Sequence, residues 1–289
     1  MASKEIWRTS VKEGVMTKKT EKTAIITGAT SGIGEATAHL LSERGYNVFG
    51  TSRRGGRGSA GAKFEILTLD VTDDNSVYSL VKEVIERAGR VDLLVNNAGF
   101  GIVGGAEESS PEQSHSIFET NVFGCIRMIQ AVLPHMRSQS EGRIINISSV
   151  LGRVPAPFMA LYAATKHAME GYSESLDHEV RKFNIRSILI EPAYTKTNFE
   201  QNTTIADVTL SIYEKSRNDT LEFTKKAMAT EADPADVVAE VIARAAADQN
   251  PKVRYTAGAT AAKLIKMRRF VPEGLFDSGL RKMFQLDGK

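Results

Sequence analysis

The sequence predicts a three-layer α/β fold, a doubly wound sheet of about seven parallel strands with helices on both faces. From residue 22 onward, short apolar runs rich in Val and Ile alternate with segments of helical period, which is typical of a parallel sheet covered by helices. The chain has 289 residues and is 42% hydrophobic, which is enough for one large core. No break in composition indicates a second domain.

Seven segments have the composition of buried strands, and helical segments separate them. The strands are predicted at Thr23–Thr27, Asn47–Thr51, Glu65–Asp70, Val91–Asn96, Arg143–Ser148, Arg186–Glu191 and Val253–Tyr255. Apolar residues recur at three- and four-residue intervals from Val77 to Ile85, so one face of that helix packs on the sheet, with Asp73 as its N-cap. Asp233 and Pro234 indicate another helix start, with Asp as the N-cap and Pro in the first turn.

The rhythm of strands and helices also predicts the domain boundaries. We expect residues 22–258 to form the main domain, with a polar, flexible extension at 1–21 and a helical tail at 259–289 packed on the same domain. Residues 193–231 interrupt the rhythm directly after the sixth strand, at the sheet edge where ligands bind, so we expect a substrate lid; an ordinary surface insertion is the alternative. Basic residues at 263, 266, 268 and 269 indicate a solvated face or an interfacial helix.

Three glycines follow the first predicted strand and open a helix. Gly28, Gly32 and Gly34 let a phosphate approach the backbone, and the helix N-terminus supplies free N–H groups with partial positive charge. The same loop contains Thr30, Ser31 and Ile33. We expect it to bind the diphosphate of a nucleotide; a tight connection between strand and helix is the alternative.

The second predicted strand leads into positive charge. Its end carries Ser52, Arg53 and Arg54, where NAD-binding folds commonly place an acidic residue that holds the ribose hydroxyls. An arginine at this point pairs with the 2′-phosphate of NADP. The sequence therefore predicts NADP(H) in preference to NAD(H), with solvated loop charge as the alternative.

A tyrosine and a lysine, Tyr162 and Lys166, lie one helical turn apart. Residues four apart share a helix face, so the ammonium favours the phenolate and lowers the pKa of the phenol from about 10, which makes it a usable acid or base. Ser149 ends a predicted strand and offers a hydroxyl that can hydrogen-bond a substrate oxygen. Ser148 is adjacent and faces the opposite way, so one of the two serines is expected to be structural.

In their order along the chain, these residues resemble the short-chain dehydrogenase/reductase family, in its compact, NADP-preferring branch. The resemblance covers roughly residues 22–258 and includes the GxxxGxG spacing, the run Asn96-Asn97-Ala98-Gly99 and the Tyr–Lys pair. It implies a Rossmann fold and catalytic roles for Asn121, Ser149, Tyr162 and Lys166. It also implies cofactor contacts from further residues: Asp70, Val71, Asn97, Ala98, Gly99, Tyr162, Lys166, Pro192 and Thr195. Ala193 departs from the glycine that many members have, while Thr197 is a second candidate contact.

The resemblance implies an NADP(H)-dependent oxidoreductase that interconverts a carbonyl and an alcohol by hydride transfer. Ser149 would polarise the oxygen, Tyr162 act as general acid or base, and Asn121 hold a water beside Lys166. A non-catalytic NADP(H)-binding redox sensor is the alternative from another class, and an epimerase or dehydratase is a second enzyme alternative. Apolar residues that either line a pocket for a lipophilic substrate or belong to the core are Phe100, Ile102, Val103, Val154, Pro155, Phe158, Tyr194 and Phe199.

The composition limits the classes of partner that the protein is expected to bind. A net charge of +2 gives no bulk attraction to nucleic acid or to a membrane, and no apolar run approaches the length of a membrane span. The single cysteine, Cys125, excludes an intrachain disulfide and a multi-cysteine zinc site, and we expect no metal and a cytoplasmic protein. The resemblance implies a homodimer or homotetramer paired through helices at Asn121–Met136 and Tyr162–Lys182.

Overall fold

Seven parallel strands form the centre of the computed structural model, which describes residues 21–57, 61–199 and 202–286. The strands are β1 (Thr23–Ile26), β2 (Asn47–Ser52), β3 (Gly56–Arg57), β4 (Glu65–Thr68), β5 (Leu93–Asn96), β6 (Ile102–Val103), β7 (Gly142–Ile147), β8 (Ile185–Pro192), β9 (Thr195–Lys196), β10 (Thr204–Ile205), β11 (Asp233–Pro234) and β12 (Arg254–Ala257). The main sheet has the order β12-β8-β7-β5-β1-β2-β4-β3, with only β3 antiparallel to its neighbour. Strands β6 with β10, and β9 with β11, form two small parallel pairs.

Helices follow most of the strands. They are α1 (Gly32–Glu43), α2 (Asp74–Ala88), α3 (Pro111–Phe118), α4 (Gly124–Gln139), α5 (Ala160–Val180), α6 (Ser211–Glu231), α7 (Ala235–Ala247), α8 (Ala259–Phe270) and α9 (Glu273–Met283). A π-helical turn, Glu119–Phe123, joins α3 to α4, and 3-10 turns lie at Val150–Gly152 and Arg181–Phe183.

The core lies in two layers, one on each face of the sheet. Alternate residues of a strand face opposite ways: Ile26 of β1 packs with α1 and α7 on one face, and Ile25 packs with α2, α4 and α5 on the other. Successive strands run outward from β1 through β2 to β4, and the chain then returns to build the other half from β5 to β12. The order of the strands therefore reverses between β1 and β5, and in open sheets ligands bind at such a crevice.

The predicted fold class is confirmed, because all seven predicted strands are present with boundaries that differ by at most two residues. Asp73 caps α2, since its Oδ1 accepts a 2.8 Å hydrogen bond from the N–H of Asn75. The predicted cap at Asp233 is wrong. Asp233 and Pro234 instead pair as a short strand with Thr195 and Lys196, so α7 begins one residue later than expected.

The segment after β8 contains more structure than its polar sequence indicates. Strands β9 and β10 occupy its first part and the 21-residue helix α6 its second. The predicted tail forms α8 and α9, and the Phe284 ring packs 4.8 Å from Phe223 of α6. The extension predicted for residues 1–21 lies outside the described residues, except for Glu21. Among the helices that the structure describes, none combines the length and apolar character of a membrane span.

Candidate active site

The glycine-rich loop leaves a cradle between β1 and the N-terminus of α1. Gly28 and Gly32 have φ angles of 68° and 59°, in the left-handed region where a side chain is disfavoured. A Cβ on Gly34 would lie 2.2 Å from the Gly28 carbonyl oxygen, so only glycine permits this close contact. The Ser31 N-cap side chain makes no capping hydrogen bond, which leaves the first N–H groups of α1 free for an anion. Thr30, Ser31 and Ile33 lie in this loop, and the cradle fits a nucleotide diphosphate.

The run Asn96-Asn97-Ala98-Gly99 fixes the other wall of the cradle. Asn97 Nδ2 donates to the carbonyl oxygens of Thr27 at 2.9 Å and Gly28 at 3.0 Å. In return, Thr27 Oγ1 accepts from the N–H groups of Asn97 at 3.0 Å and Ala98 at 2.9 Å. Thr27 is not among the predicted site residues, and its position directly before Gly28 is the signal that points to it. These bonds tie the ends of β1 and β5 together at the strand-order reversal.

The arginines after β2 are exposed, with Asp70 at the end of β4 on the neighbouring strand. The Asp70 carboxylate accepts from the N–H and the hydroxyl of Thr72, and these bonds, together with the charge of Arg53, lower its pKa against the opposing effect of burial. Ser52 Oγ donates to the Gly55 carbonyl at 3.2 Å. The structure thus places Ser52, Arg53, Arg54 and Asp70 at one edge of the crevice, with no acidic residue directly after β2.

Val71 follows Asp70 and packs against the start of α4. A Cβ on Gly124 would lie 2.7 Å from Val71 Cγ2, so a glycine is required for this helix to approach the strand. The Val71 side chain is buried, and its carbonyl oxygen accepts from Arg127 at 3.5 Å. Only its backbone is therefore available to line a bound nucleotide.

Ser149, Tyr162 and Lys166 converge at the end of β7 and the start of α5. Each is 8% exposed, and the Ser149 and Tyr162 side chains are hydrogen-bonded to each other. Lys166 Nζ lies 5.4 Å from the Tyr162 ring centroid and donates to the Ile147 carbonyl at 2.8 Å. The three side chains thus form one cluster, and Ser149 Oγ also caps the turn Val150–Gly152 by accepting from the N–H of Leu151.

Burial controls the acidity of this cluster. It raises the pKa of the Tyr162 phenol, and the hydrogen bond with Ser149 lowers it by less. The prediction that Lys166 brings the pKa of this phenol below its usual value is therefore wrong, because the desolvation of the buried phenol has the larger effect. Burial also lowers the pKa of Lys166, with Cys125 and Glu170 acting in the opposite direction. At neutral pH the phenol retains its proton and is a donor rather than a phenolate.

Asn121 lies in the π-helical turn and is 1% exposed. Its Oδ1 accepts from the N–H of Phe100 at 3.0 Å, and its Nδ2 donates to the Phe100 carbonyl at 2.9 Å and to Thr165 Oγ1 at 3.3 Å. Thr165 Oγ1 in turn donates to the Tyr162 carbonyl at 2.7 Å. The Asn121 amide is therefore hydrogen-bonded to protein groups on both its oxygen and its nitrogen. These bonds link the segment after Gly99 to the helix that carries Tyr162. Thr165, which is also not among the predicted site residues, completes this link.

Pro192 ends β8, and the segment that follows runs past the cradle. Thr195 is 9% exposed and donates to the Ala193 carbonyl at 3.4 Å. A Cβ on Gly32 would lie 2.9 Å from Thr197 Cβ, so Thr197 is in direct contact with the glycine-rich loop. Of the two threonines expected to contact the cofactor, the structure brings Thr197 to the cradle.

An apolar cluster surrounds the Tyr162 ring. Phe100, Ile102 and Phe199 belong to it, and the Phe199 ring centroid lies 5.5 Å from that of Tyr162. Phe158, with φ of 58°, places its ring 6.2 Å from Tyr213 of α6. Val154 is buried instead, 4% exposed. Within residues 21–57, 61–199 and 202–286, no three His, Cys, Asp or Glu side chains are grouped so that they could hold a metal ion.

Comparison with known proteins agrees with this arrangement. Residues 22–207 match the family described as short chain dehydrogenase. The chain is 37% identical over 265 residues to 3-ketodihydrosphingosine reductase from Bacteroides thetaiotaomicron, covering 91% of this chain and 97% of the relative. A short-chain dehydrogenase/reductase from Burkholderia phymatum in complex with NAD superposes with a TM-score of 0.74 at 26% identity, covering 88% and 95% of the two chains.

A second solved structure carries the other cofactor. ElxO with NADP bound superposes with a TM-score of 0.70 at 25% identity, covering 84% of this chain and 99% of that one. The family match spans more than half of the chain, and it includes the cradle, the Ser149 turn, Tyr162 and Lys166. The protein therefore belongs to the short-chain dehydrogenase/reductase family of oxidoreductases.

Proposed function

We propose that the protein is an NADP(H)-dependent oxidoreductase that interconverts a carbonyl and an alcohol on a lipophilic substrate. The observation that carries this proposal is the convergence of the Ser149 and Tyr162 hydroxyls beside Lys166, at the strand edge that also holds the glycine cradle. A bound nicotinamide dinucleotide supplies the hydride in such a reaction. The protein's own side chains are left with binding, orientation and the movement of one proton.

Each residue of the cluster has a distinct proposed role. Ser149 donates a hydrogen bond to the substrate oxygen as negative charge develops on it. Tyr162 gives that oxygen its proton in the reducing direction, and the raised pKa of the buried phenol means that the proton is in place before the reaction. Lys166 orients the nicotinamide ribose and, as a cation, assists the phenol when it must lose its proton. Asn121 is proposed to support the return of a proton from water, as the family resemblance implies.

The proposed cofactor preference rests on the edge beside β2. Residues Gly28, Thr30, Ser31, Gly32, Ile33 and Gly34 would hold the diphosphate, and Asn97, Ala98, Gly99, Pro192 and Thr195 the nicotinamide side, with Asp70 and Val71 at the adenine. Arg53 and Arg54 stand exposed where the 2′-phosphate would lie, and no acidic residue there favours the free hydroxyl of NAD. We therefore propose NADP(H), although both cofactors occur in the related structures.

The proposed substrate class rests on the apolar surroundings of Tyr162. The rings of Phe100 and Phe199 pack beside the phenol, so an aliphatic or ring ketone fits better here than a charged metabolite. The related reductase from Bacteroides thetaiotaomicron acts, by its name, on a keto group of a sphingoid base. We also propose that residues 193–231 are a lid over this pocket. We also propose a cytoplasmic location, which the single free thiol of Cys125 favours.

The test of the proposed function is the variant Tyr162→Phe, which removes one hydroxyl and keeps the ring. The rate of reduction of a verified ketone, measured as NADPH oxidation, should fall by a factor of about 10² or more, the usual contribution of a general acid. NADPH affinity and thermal stability should change little. The matched control is Tyr172→Phe, on the same helix and away from Ser149, which should keep full activity.

The same measurement separates an enzyme from a redox sensor. A sensor would bind NADPH tightly and turn over none of a panel of lipophilic ketones and alcohols. Near-normal turnover in Tyr162→Phe would instead leave the protein an enzyme and exclude this phenol as the proton donor.

A further inference from the structure

A second cavity, separate from the Tyr162 cluster, lies between the Val150–Gly152 turn, α5, β12 and α8. Its volume is about 630 Å³, within the range of sites that take small organic molecules. The residues that line it are Gly152, Arg153, His167, Glu170, Glu174, Arg254, Ile265, Arg268 and Arg269. None of Ser149, Tyr162 and Lys166 is among them, so the reaction proposed above does not account for this cavity.

A carboxylate oxygen without a hydrogen-bond partner is buried directly behind the inner wall of the cavity, among the described residues. Glu170 is 4% exposed; its Oε2 accepts from Arg254 Nε at 2.7 Å, whereas its Oε1 has no hydrogen-bond partner in the described parts of the chain. A Cβ on Gly152 would lie 3.1 Å from this Oε1. An acceptor buried without a donor is destabilising, so a small shift of the wall that lets a ligand donor reach this oxygen would be favoured.

The outer wall is formed by two arginines of α8. Arg268 and Arg269 are exposed, and their guanidinium groups lie over the rings of Phe276 at 5.3 Å and Phe270 at 5.4 Å rather than against carboxylates. Stacked guanidinium groups keep their N–H edges free for an anion.

The charged side chains that line the cavity also favour an anion, because positive charges outnumber negative ones. Four arginines face two glutamates, and Arg254 already pairs with both of these, through Glu170 Oε2 and Glu174 Oε1. Arg153 has a single longer contact of 3.4 Å to Glu191. An anion would therefore meet two or three arginines that lack a close carboxylate partner.

We propose that this cavity binds a hydroxylated organic anion, whose phosphate or carboxylate meets Arg268 and Arg269 and whose hydroxyl donates to Glu170 Oε1. The glycerol phosphate group has this chemistry, whether free or as the headgroup of an anionic lipid. The site does not rest on the proposed function, since none of its residues takes part in hydride transfer. It adjoins the turn that Ser149 caps, so a ligand bound there contacts Gly152, three residues from that serine.

Calorimetric titration with glycerol 3-phosphate tests the proposal, with and without saturating NADPH, because NADPH fills the other phosphate-binding positions. We expect one site with a Kd on the order of 0.1–1 mM that NADPH leaves in place. The double variant Arg268→Gln/Arg269→Gln should weaken binding at least tenfold. Propyl phosphate, which lacks the hydroxyls, should bind several-fold more weakly to the intact protein.

The matched control is Lys263→Gln/Lys266→Gln, which removes the same charge from the same helix at positions outside the cavity lining. It should bind as tightly as the intact protein, and thermal melts should show both variants folded. Equal binding by the two double variants, or no binding by the intact protein, would overturn the proposal.

Vesicles distinguish the two sources of the ligand. Flotation with phosphatidylglycerol vesicles but not with phosphatidylcholine, lost in Arg268→Gln/Arg269→Gln and competed by glycerol 3-phosphate, would support the site with a lipid headgroup as ligand. The exposed Phe270 and Leu275 would then contact the bilayer. Titration binding without flotation would support it with a free anion as ligand.

Discussion

Arg53 and Arg54 carry the cofactor preference that we propose, and Arg53 is the better test because its charge reaches Asp70. Arg53→Ala should lower the affinity for NADPH roughly ten- to a hundredfold, since a charged hydrogen bond to phosphate contributes about 1.5–3 kcal/mol. Affinity for NADH should hardly change. Fluorescence titration with both cofactors measures this. Arg44→Ala, an exposed arginine at the opposite end of α1, is the control. Equal affinities for NADPH and NADH in the intact protein would contradict the preference.

Glu191 makes stability depend on pH. Burial and the neighbouring Glu170 raise its pKa from 4.5 to about 7, against the opposing charges of Arg153 and Arg254. A carboxyl whose pKa rises on folding binds its proton more tightly in the native state, so stability falls as pH rises from about 4.5 through 7. Glu191→Gln should therefore stabilise the protein at pH 8, by up to about 3 kcal/mol, and change little at pH 5.

Urea unfolding at the two pH values measures the effect, and Glu174→Gln gives a control of opposite sign. Its hydrogen bond with Arg254 lowers the pKa of Glu174, so its ionised form contributes stability above the ordinary carboxyl pKa and loses it as pH falls. That variant should be less stable than the intact protein at pH 8. A Glu191→Gln variant equally destabilised at both pH values would mean that Glu191 is a structural acceptor whose charge is irrelevant.

Some site residues can be predicted from the sequence, and others cannot. Ser149, Tyr162 and Lys166 are found by spacing, because strand ends and helical turns fix their neighbours locally. The raised pKa of Tyr162 could not be found this way, since its burial depends on Phe199, which is 37 positions further along the chain. Thr165 is not found from the sequence either, because a threonine that bonds a backbone carbonyl has no distinctive pattern, whereas Thr27 is marked only by its place before Gly28.

An ion pair ties helix α6 to the loop before α3, and this bears on the proposed lid. The Arg217 guanidinium pairs with Glu108, whose Oε1 also accepts from the N–H of Leu210 at 2.7 Å; both side chains are nearly inaccessible. Arg217→Ala leaves a buried carboxylate without its cation, so we expect a loss on the order of 2 kcal/mol in stability and a raised KM for a lipophilic ketone. Lys215→Ala, which removes an exposed cation from the same helix, is the control.

Limited proteolysis gives a second measurement of this element. Cleavage within residues 202–231 should be faster in Arg217→Ala than in Lys215→Ala, and Arg217→Lys should recover part of the protection. Unchanged cleavage and KM in Arg217→Ala would show that the pair does not restrain a lid.

Long secondary-structure elements are easier to predict from the sequence than short ones. The seven strands of four or more residues are recognisable, and the central strands β1, β5 and β8 contain apolar runs because both of their faces are buried. Two-residue strands such as β9 and β11 depend on pairing with distant segments, which is why Asp233 was misassigned as a cap. Helix α9 was also not predicted individually; its buried residue Phe276 and the adjacent Phe284 are too few to set a clear period.

The strand order explains why the scattered motifs form one site. Reversal between β1 and β5 opens a crevice, and the residues of the glycine loop, the Asn97 run and the Thr197 segment all follow strands on that edge. Hydrogen bonds through Asn97 and Asn121 then connect the cradle to α5. The fold class alone therefore predicted that these motifs would meet, although the distances depended on packing.

Assembly is the prediction that belongs to the whole molecule. Helices α4 and α5 are proposed to pair with a second copy, so a chain of 31.5 kDa should scatter light as a dimer of about 63 kDa or a tetramer. Gly171 lies exposed on α5, and a Cβ at this position would meet nothing within 4 Å, so Gly171→Arg should fold normally yet block pairing. Gly279→Arg, in equally open space on α9, should leave the assembly intact. A monomer at micromolar concentration, or assembly that survives Gly171→Arg, would show that this helix face is not the interface.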